Sequence, residues 1–332
     1  MNRILVIAGV HLDRAWTDLG TAFGIPLRRW SREVLALGVQ EARRLDVDSL
    51  VILGDLMDRA TVVPDTVHYA AAVLGSFPGR VLVLPGPTDW LGDDGPYELG
   101  SWAKNTTVWT SAGFEPVPTE PRLWGSAWTS PSSRTPRFPI RGVAEQGRTF
   151  LRAGLSGAEF GDFAPGDRAI TNGTEGSDRM LAVPDLVHQP GAAGGWALLV
   201  DIGRADIARE RIYLPGQPGT SVQLDVTELT TPDAFRAALV AAGDGVGPVQ
   251  LRLVGQLGAR VLLPGFGGPD LPANVVLDAR TLRYAVEVPA SSDLSTLAEF
   301  LRAMALARGS DLERHQTTAL GLTALTTSAA GA

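Results

Sequence analysis

Short apolar runs alternate with amphipathic segments through the first half of the chain. The runs at 4–8, 49–53 and 81–84 are rich in Val, Ile and Leu, are followed by Gly or Pro, and are typical of buried strands. Between them, residues 29–45 and 66–74 carry apolar side chains at roughly helical spacing. Strands that alternate with helices pair in parallel through right-handed crossovers. The pattern predicts an α/β fold in which the loops after the three strands lie side by side at one sheet edge.

Beyond about residue 109 the pattern changes to strands without long helices between them. Residues 124–128 and 196–201 are predicted strands. Residues 129–148 and 161–178 are rich in Pro, Gly, Ser, Thr and Arg, which predicts loops.

The last third of the chain mixes strand and helix patterns again. Residues 221–226 and 249–254 alternate in polarity and predict half-exposed strands, with a helix over 232–242 between them. Residues 294–307 predict an amphipathic helix, and the small, weakly patterned residues from about 317 predict a disordered tail.

These changes of pattern predict three parts. A layered α/β domain covers 1–203, a small α+β domain covers 204–290, and a C-terminal helix and tail cover 291–332.

Composition narrows the chemistry and the compartment. The 332 residues contain no cysteine, so disulfides, zinc–thiolate sites and cysteine nucleophiles are excluded. Lys104 is the only lysine, and the net charge of -7 means that nucleic acid could be bound only through a local arginine cluster. No apolar run approaches the ~20 residues that span a bilayer, and no signal peptide is evident, so we expect a cytoplasmic protein without membrane contact.

Polar residues follow the predicted strands in a recurring order. The loops read GVHLD at 9–13, GDLMD at 54–58 and GPTD at 86–89, and DLVHQP follows at 185–190. This series resembles the strand-end motifs of the calcineurin-like metallophosphoesterases. The stretches VIAGVHLD and VILGDLMD are most similar to SbcD, the nuclease subunit that works with an SMC-like ATPase in DNA break repair, and to its YhaO-type relatives.

The resemblance implies a layered metallophosphoesterase fold, with β-sheets flanked by helices and a small α+β capping domain. In this family two divalent ions ~3.5–4 Å apart clamp a phosphodiester and activate water. His11, Asp55 and His188 fall on ligand positions of one ion, which implies one manganese, zinc or iron ion, or none. Asp58 and Asp89 fall on positions that support the motifs.

Other ligand positions have lost their side chains. Gly9 stands where the family has its first Asp, and Pro87 stands where it has an Asn. Thr88 replaces the leaving-group His, and Leu186 replaces the first His of the closing motif. A lone His of the family falls near 154 or 155 and is absent. The resemblance therefore implies a degenerate site in which a two-metal clamp cannot form.

Each of these residues also has an ordinary structural interpretation. A Gly-Asp pair after a strand is often only a turn with an Asx hydrogen bond. Taken alone, His11 at a strand end and His188 near Pro190 are more often hydrogen-bonded loop residues than metal ligands.

A group of arginines follows the first loop, where SbcD relatives carry basic residues: Arg14, Arg28, Arg29 and Arg32. They are candidates for contact with DNA phosphates, although a solvated helix face explains them equally well.

Three functional hypotheses follow. The first is an SbcD-like subunit with lost or strongly reduced nuclease activity, which binds DNA, forms a homodimer, or docks an SMC-like, SbcC-type ATPase through its C-terminal helix. The second is an active single-metal phosphodiesterase or nuclease that uses His11, Asp55 and His188. The third is a scaffold unrelated to DNA.

Overall fold

The computed structural model describes residues 2–118, 120–133, 147–155, 166–174, 176–190, 192, 194–202, 209–214, 216–244, 247–265, 268–285 and 289–330. The chain divides into two compact units, which are Met1–Thr17 with Gly24–Gln217, and Asp18–Phe23 with Pro218–Ala332. No helix among the described residues is both long enough and apolar enough to cross a membrane.

The first unit holds two sheets and two helices. Its elements in chain order are β1 (Asn2–Ile7), most of α1 (Gly20–Arg44), β2 (Ser49–Leu53), α2 (Pro64–Gly75), β3 (Arg80–Leu84), a 3₁₀ turn (Pro96–Glu98), β4 (Thr106–Val108), β5 (Glu115–Val117), β6 (Glu120–Gly125), β7 (Thr149–Leu151), β8 (Arg168–Asn172), β9 (Met180–Val183), β10 (Trp196–Ile202) and β11 (Arg209–Tyr213).

The first sheet has the strand order β11-β10-β1-β2-β3-β4. Strands β1 to β4 pair in parallel, whereas β10 and β11 join the other edge antiparallel. The predicted strands of the first half and their parallel pairing are therefore confirmed, and the α/β class is confirmed with them.

The second sheet has the order β5-β6-β7-β8-β9 and is parallel except for the β5–β6 pair. One apolar core serves both sheets: Val6, Val51 and Leu84 of the first sheet are packed with Leu151 and Ile170 of the second. Burial of such a shared face is the main favourable term that holds two layers together.

Two predictions in this unit are wrong at the level of single elements. Helix α1 begins at Gly20, nine residues before the predicted start, because buried Phe23 and Leu27 continue its apolar face through Pro26. The predicted loop 161–178 contains β8, whereas 134–146 and 156–165 lie outside the described residues.

The predicted strand at 124–128 is confirmed only in part, because β6 ends at Gly125. Ser126 N–H still donates to Leu151 O of β7 at 3.1 Å, and from Ala127 onward the backbone bonds to other loops, as when Ala127 N–H donates to Ser111 O at 2.8 Å.

The second unit is built on a small parallel sheet. Its elements are a 3₁₀ turn (Thr17–Leu19, of which Thr17 belongs to the first unit), β12 (Thr220–Asp225), α3 (Pro232–Ala242), β13 (Val249–Val254), β14 (Gln256–Leu257), β15 (Val275–Asp278), β16 (Arg283–Tyr284), α4 (Thr296–Leu306) and α5 (Asp311–Ala330).

The order β12-β13-β15 is parallel throughout, and α3 makes the first crossover. Phe235 and Leu239 of α3 are fully buried in the core of this unit. The predicted strands and the predicted helix at 232–242 are confirmed, although β13 is mostly buried instead of half-exposed.

The tail predicted to be disordered from 317 forms most of α5, so that prediction is wrong. Leu322 is buried against α4, and Thr317 donates its hydroxyl to Glu313 O at 2.8 Å. Packing of one face outweighs the weak helix propensity of a Thr-rich sequence.

The units divide at 217, not at the predicted 203. Strand β11 pairs with β10 inside the first unit, and α4 and α5 belong to the second unit.

Candidate functional site

The loops after β1, β2 and β3 lie side by side, as the sequence predicts. His11 N–H donates to Asp55 O at 2.9 Å, and Gly9 N–H donates to Gly54 O at 3.2 Å. Gly54 N–H donates in turn to Leu84 O at 2.8 Å. These bonds continue the parallel pairing beyond the strand ends and bring the polar residues of the three loops together.

The closing segment 185–190 joins the same edge. Leu186 N–H donates to Ala8 O at 2.9 Å, and Val187 N–H donates to Gly9 O at 3.0 Å. Residues from four separate parts of the chain therefore meet at one end of the first sheet.

The backbone at this edge adopts left-handed conformations. The φ angle is 50° at His11 and 54° at Asp55, and it is 57° at Gly9. Non-glycine residues in this region each cost roughly 1–2 kcal/mol, so packing and hydrogen bonds must hold them there.

Asp55 is 5% exposed and is enclosed by hydrogen-bond donors. Its Oδ1 accepts from Thr88 N–H at 2.8 Å and from the Thr88 hydroxyl at 2.7 Å. Its Oδ2 accepts from the Asn172 side-chain amide at 3.2 Å. Three of its roughly four acceptor positions are thus occupied by protein groups.

Asp89 is fully buried and fixes the loop that follows β2. Its carboxylate accepts backbone N–H groups from Asp55, Leu56 and Met57 at 3.2, 2.8 and 3.3 Å. It also accepts from Gly86 N–H and from the Tyr97 hydroxyl, both at 2.6 Å.

Burial and the nearby Asp55 carboxylate raise the pKa of Asp89 to about 6, against the lowering effect of its hydrogen bonds. Through its hydrogen bonds to backbone N–H groups, Asp89 holds the loop after β2 in place.

Asp58 performs a local structural task. Its Oδ1 accepts from Ala60 N–H at 3.2 Å, and its carbonyl accepts from Thr61 N–H at 3.1 Å. The bond from Ala60 N–H forms an Asx turn at Asp58.

His11 is 3% exposed and lies beside a carboxylate that the sequence interpretation did not identify. Its Nε2 is 3.3 Å from Asp185 Oδ2, and its ring meets Trp16 edge-on with 6.4 Å between centroids. Its Nδ1 has no hydrogen-bond partner within the described part of the chain.

Asp185 fills the space that a side chain at position 9 would need. A Cβ built on Gly9 would lie 2.5 Å from Asp185 Cβ and closer still to its carboxylate. A carboxylate from position 185 thus occupies the space beside Gly9 and next to His11. No local sequence pattern predicts this contact, since it joins residues that are 176 positions apart (185 minus 9).

Asn172 is the second residue that the sequence interpretation missed, because it lies in the segment predicted as loop 161–178. It stands at the end of β8, and its Oδ1 accepts from Gly154 N–H at 2.6 Å while its amide donates to Asp55. Gly154 thus contributes a backbone donor. The signal in the sequence was an Asn-Gly pair after a short apolar run.

His188 interacts with a different set of residues. Its Nδ1 lies 2.9 Å from Gln189 O, and its backbone N–H and C=O bond to the Gln217 amide at 3.1 and 2.7 Å. A Cβ on Gly194 would lie 2.8 Å from His188 Cγ, so the ring packs on that glycine.

The expected metal set does not assemble. Across the described ranges, no three His, Asp or Glu side chains are grouped so that they could hold one ion, and His11, Asp55 and His188 are not such a group. Donor groups point at both oxygens of Asp55, where a bridging pair of ions would need free lone pairs. These residues do not fit a two-metal centre.

The remaining substituted positions fill space at this edge. Leu186 is fully buried, and Pro87 is half-buried. Neither carries a side-chain atom that could bind a metal or donate a proton.

Of the four arginines that are candidates for DNA contact, three line an open groove of about 660 Å³ near the strand-end loops. Arg28 and Arg29 are exposed, whereas Arg32 lies 3.5 Å from an Asp13 oxygen and donates to Thr66 Oγ1 at 2.5 Å. The fourth, Arg14, is stacked over the Trp16 ring at 4.3 Å.

No protein-family model matches the chain, and no curated protein matches it either.

Proposed function

We propose that the chain is an SbcD-like metallophosphoesterase relative that binds DNA through the arginine groove and does not cut it. The proposal includes the layered metallophosphoesterase fold. It is supported by the mixed first sheet, by the core that both sheets share, and by Ile7, which meets α1 at Gly38 on the opposite face.

The observation that carries the loss of cleavage is the hydrogen-bonding of Asp55. A carboxylate that bridges two ions must present free oxygens, yet here the Thr88 hydroxyl and two N–H donors satisfy it. Thr88 also stands where the family's proton donor would be, and an alcohol is a far weaker acid than imidazolium.

The groove supports binding to a phosphate backbone. Residues 25, 28, 29 and 32 of α1 all line it, because positions separated by three and four residues share one helix face. Among the described residues, Arg28 and Arg29 form no ion pair, so their guanidinium groups are available to phosphate oxygens. This local pair supplies the positive charge that the acidic chain as a whole lacks.

Fluorescence anisotropy with labelled duplex DNA at several salt concentrations tests the binding. The slope of log K against log salt is negative, and each lost phosphate contact reduces its magnitude by about 1, so R28Q/R29Q should reduce the magnitude by about 2 and weaken binding. R44Q is the matched control, because Arg44 is an exposed arginine on the same helix that lies outside the groove and pairs with Glu41. A slope unchanged in R28Q/R29Q would contradict the groove.

A nuclease assay with manganese tests the absence of cleavage. Wild type should leave linear DNA intact over hours. If DNA is cut, and the cutting disappears in D55A, then the single-metal enzyme with His11, Asp55 and His188 is the better hypothesis.

Docking of an SMC-like, SbcC-type ATPase through the C-terminal helices is proposed on the resemblance, with one supporting feature. Leu306 of α4 and Leu320 of α5 are 86% and 51% exposed, which is unusual for large apolar side chains on a solvated surface. Co-elution with such an ATPase in size-exclusion chromatography, lost in L306D/L320D, is the expected result.

A further inference from the structure

A cavity of about 240 Å³ lies between the two sheets of the first unit, at the end where the parallel strands begin. Ser49 and Arg80, the first residues of β2 and β3, line it, whereas the candidate site follows the last residues of the same strands. Five residues at ~3.3 Å each place the cavity roughly 16 Å from that site. It is therefore a separate feature.

Much of the wall of the cavity is formed by buried apolar side chains. Val51, Leu82 and Leu123 line it and are at least 93% buried, and they belong to the core shared by both sheets. Small-molecule sites are mostly apolar concavities with a few polar groups that fix orientation.

Two of the three charged residues at this cavity are cationic. Arg80 and Lys104 line it, both are exposed, and neither forms an ion pair among the described residues. Lys104 is the only lysine of a chain with a net charge of -7. Glu120 also lines the cavity, so a second acidic group on a ligand would be repelled.

Trp109 gives the cavity an aromatic wall. It lines the cavity and is 8% exposed, so most of its ring is packed in the core shared by both sheets. An aromatic wall of this kind favours a ligand with an apolar body.

The volume limits the size of the ligand. An apolar protein cavity of ~150 Å³ holds benzene, while drug-sized sites begin at ~300 Å³. The observed 240 Å³ fits a single ring with a short side chain, or an aliphatic chain of similar volume.

We propose that this cavity binds a small monocarboxylate with a single-ring or short-chain apolar body. The body occupies the space beside Trp109 and Leu123, and the carboxylate is bound by Lys104 and Arg80. This goes beyond the proposed DNA binding and does not depend on it.

Calorimetric titration with 3-phenylpropionate tests the proposal, with 3-phenylpropanol as the uncharged comparison. A ligand of about eleven non-hydrogen atoms, each contributing about 0.3 kcal/mol of binding free energy, has a Kd in the millimolar range. We expect binding to weaken about tenfold for the alcohol and for K104Q, and to be unchanged in R44Q.

Two variants fill the space without touching the cationic groups. L123W changes a core residue, whereas V117W changes a half-buried residue of β5. V117W therefore keeps the test valid if L123W fails to fold. Loss of binding in either folded variant supports the cavity. Unchanged binding in the filled variants, an alcohol that binds as tightly as the acid, or no detectable binding to wild type would each overturn the proposal, whatever the DNA assays show.

Discussion

The close approach of the Asp185 side chain to Gly9 leads to a sharp prediction about stability. Gly9→Ala introduces a Cβ where the Asp185 side chain lies, at a backbone φ of 57° that favours glycine. Two separate costs follow: left-handed strain on the new alanine, and displacement of the Asp185 carboxylate from His11.

The two costs can be given rough magnitudes. A non-glycine residue in the left-handed region costs about 1–2 kcal/mol. Loss of the 3.3 Å contact between His11 and Asp185 costs about 1 kcal/mol, because the Asp185 side chain is 37% exposed and water screens the pair. Gly9→Ala should therefore lower the free energy of unfolding by about 2–3 kcal/mol in the wild-type background.

Making Gly9→Ala in proteins that differ at position 185 separates the backbone strain at position 9 from the overlap between the new Cβ and the Asp185 side chain. In Asp185→Gly no side chain remains to be displaced, so Gly9→Ala should cost only the strain of about 1–2 kcal/mol. In Asp185→Ala the Cβ remains, 2.5 Å from the new Cβ, and the overlap should persist. The double-mutant cycle with Gly should therefore show a coupling of about 1 kcal/mol, whereas the cycle with Ala should show less.

Urea unfolding monitored by tryptophan fluorescence is the appropriate assay. All eight tryptophans lie at positions of the first unit, so the signal reports the unit that contains Gly9 and Asp185. An equal cost of Gly9→Ala in all three backgrounds would show that Asp185 does not occupy the space at position 9.

Three further predictions concern hydrogen bonds. The raised pKa of Asp89 means that the folded state binds a proton more tightly than the unfolded state, so this group's contribution to stability falls as pH rises from about 4 to 6. Tyr97→Phe removes a donor to that carboxylate and should therefore destabilise more at pH 7 than at pH 4.5, as urea unfolding at the two values would show; an equal loss at both values would contradict it. Thr88→Val removes the hydroxyl bound to Asp55 and should cost about 1–3 kcal/mol in the same assay, whereas Thr88→Ser should cost less than half of that. In the second unit, Thr231→Ala removes the N-cap of α3 and should cost about 1 kcal/mol by circular dichroism, while Thr231→Ser should be nearly neutral.

Much of the fold could be predicted because burial follows local periodicity. The strands at 49–53 and 81–84 are buried and carry unbroken apolar runs, as parallel strands with both faces covered do. Helix α5 could not be predicted, because its stability comes from the packing of residues such as Leu322, not from its Thr- and Ala-rich sequence.

The site could be predicted in its location and not in its contacts. Asp55 and His11 lie at adjacent strand ends, as parallel topology requires. Asp185 reaches His11 and Asn172 reaches Asp55 across long sequence separations, which no local pattern encodes.

The hydrogen bonds around Asn172 also have a chemical consequence for the ageing of the chain. An Asn-Gly pair loses its amide when the glycine nitrogen attacks the side-chain carbonyl, and asparagine is among the thermolabile residues for this reason. Here the Gly173 N–H donates to Val183 O at 2.9 Å, and the Asn172 side chain is bonded at both ends. Deamidation at this position should therefore proceed only through unfolded molecules, and the resulting carboxylate would face Asp55 and hinder refolding. Intact mass spectrometry of heated and unheated protein would measure the extent of deamidation, and the amount that has accumulated at position 172 would show how often the first unit has unfolded.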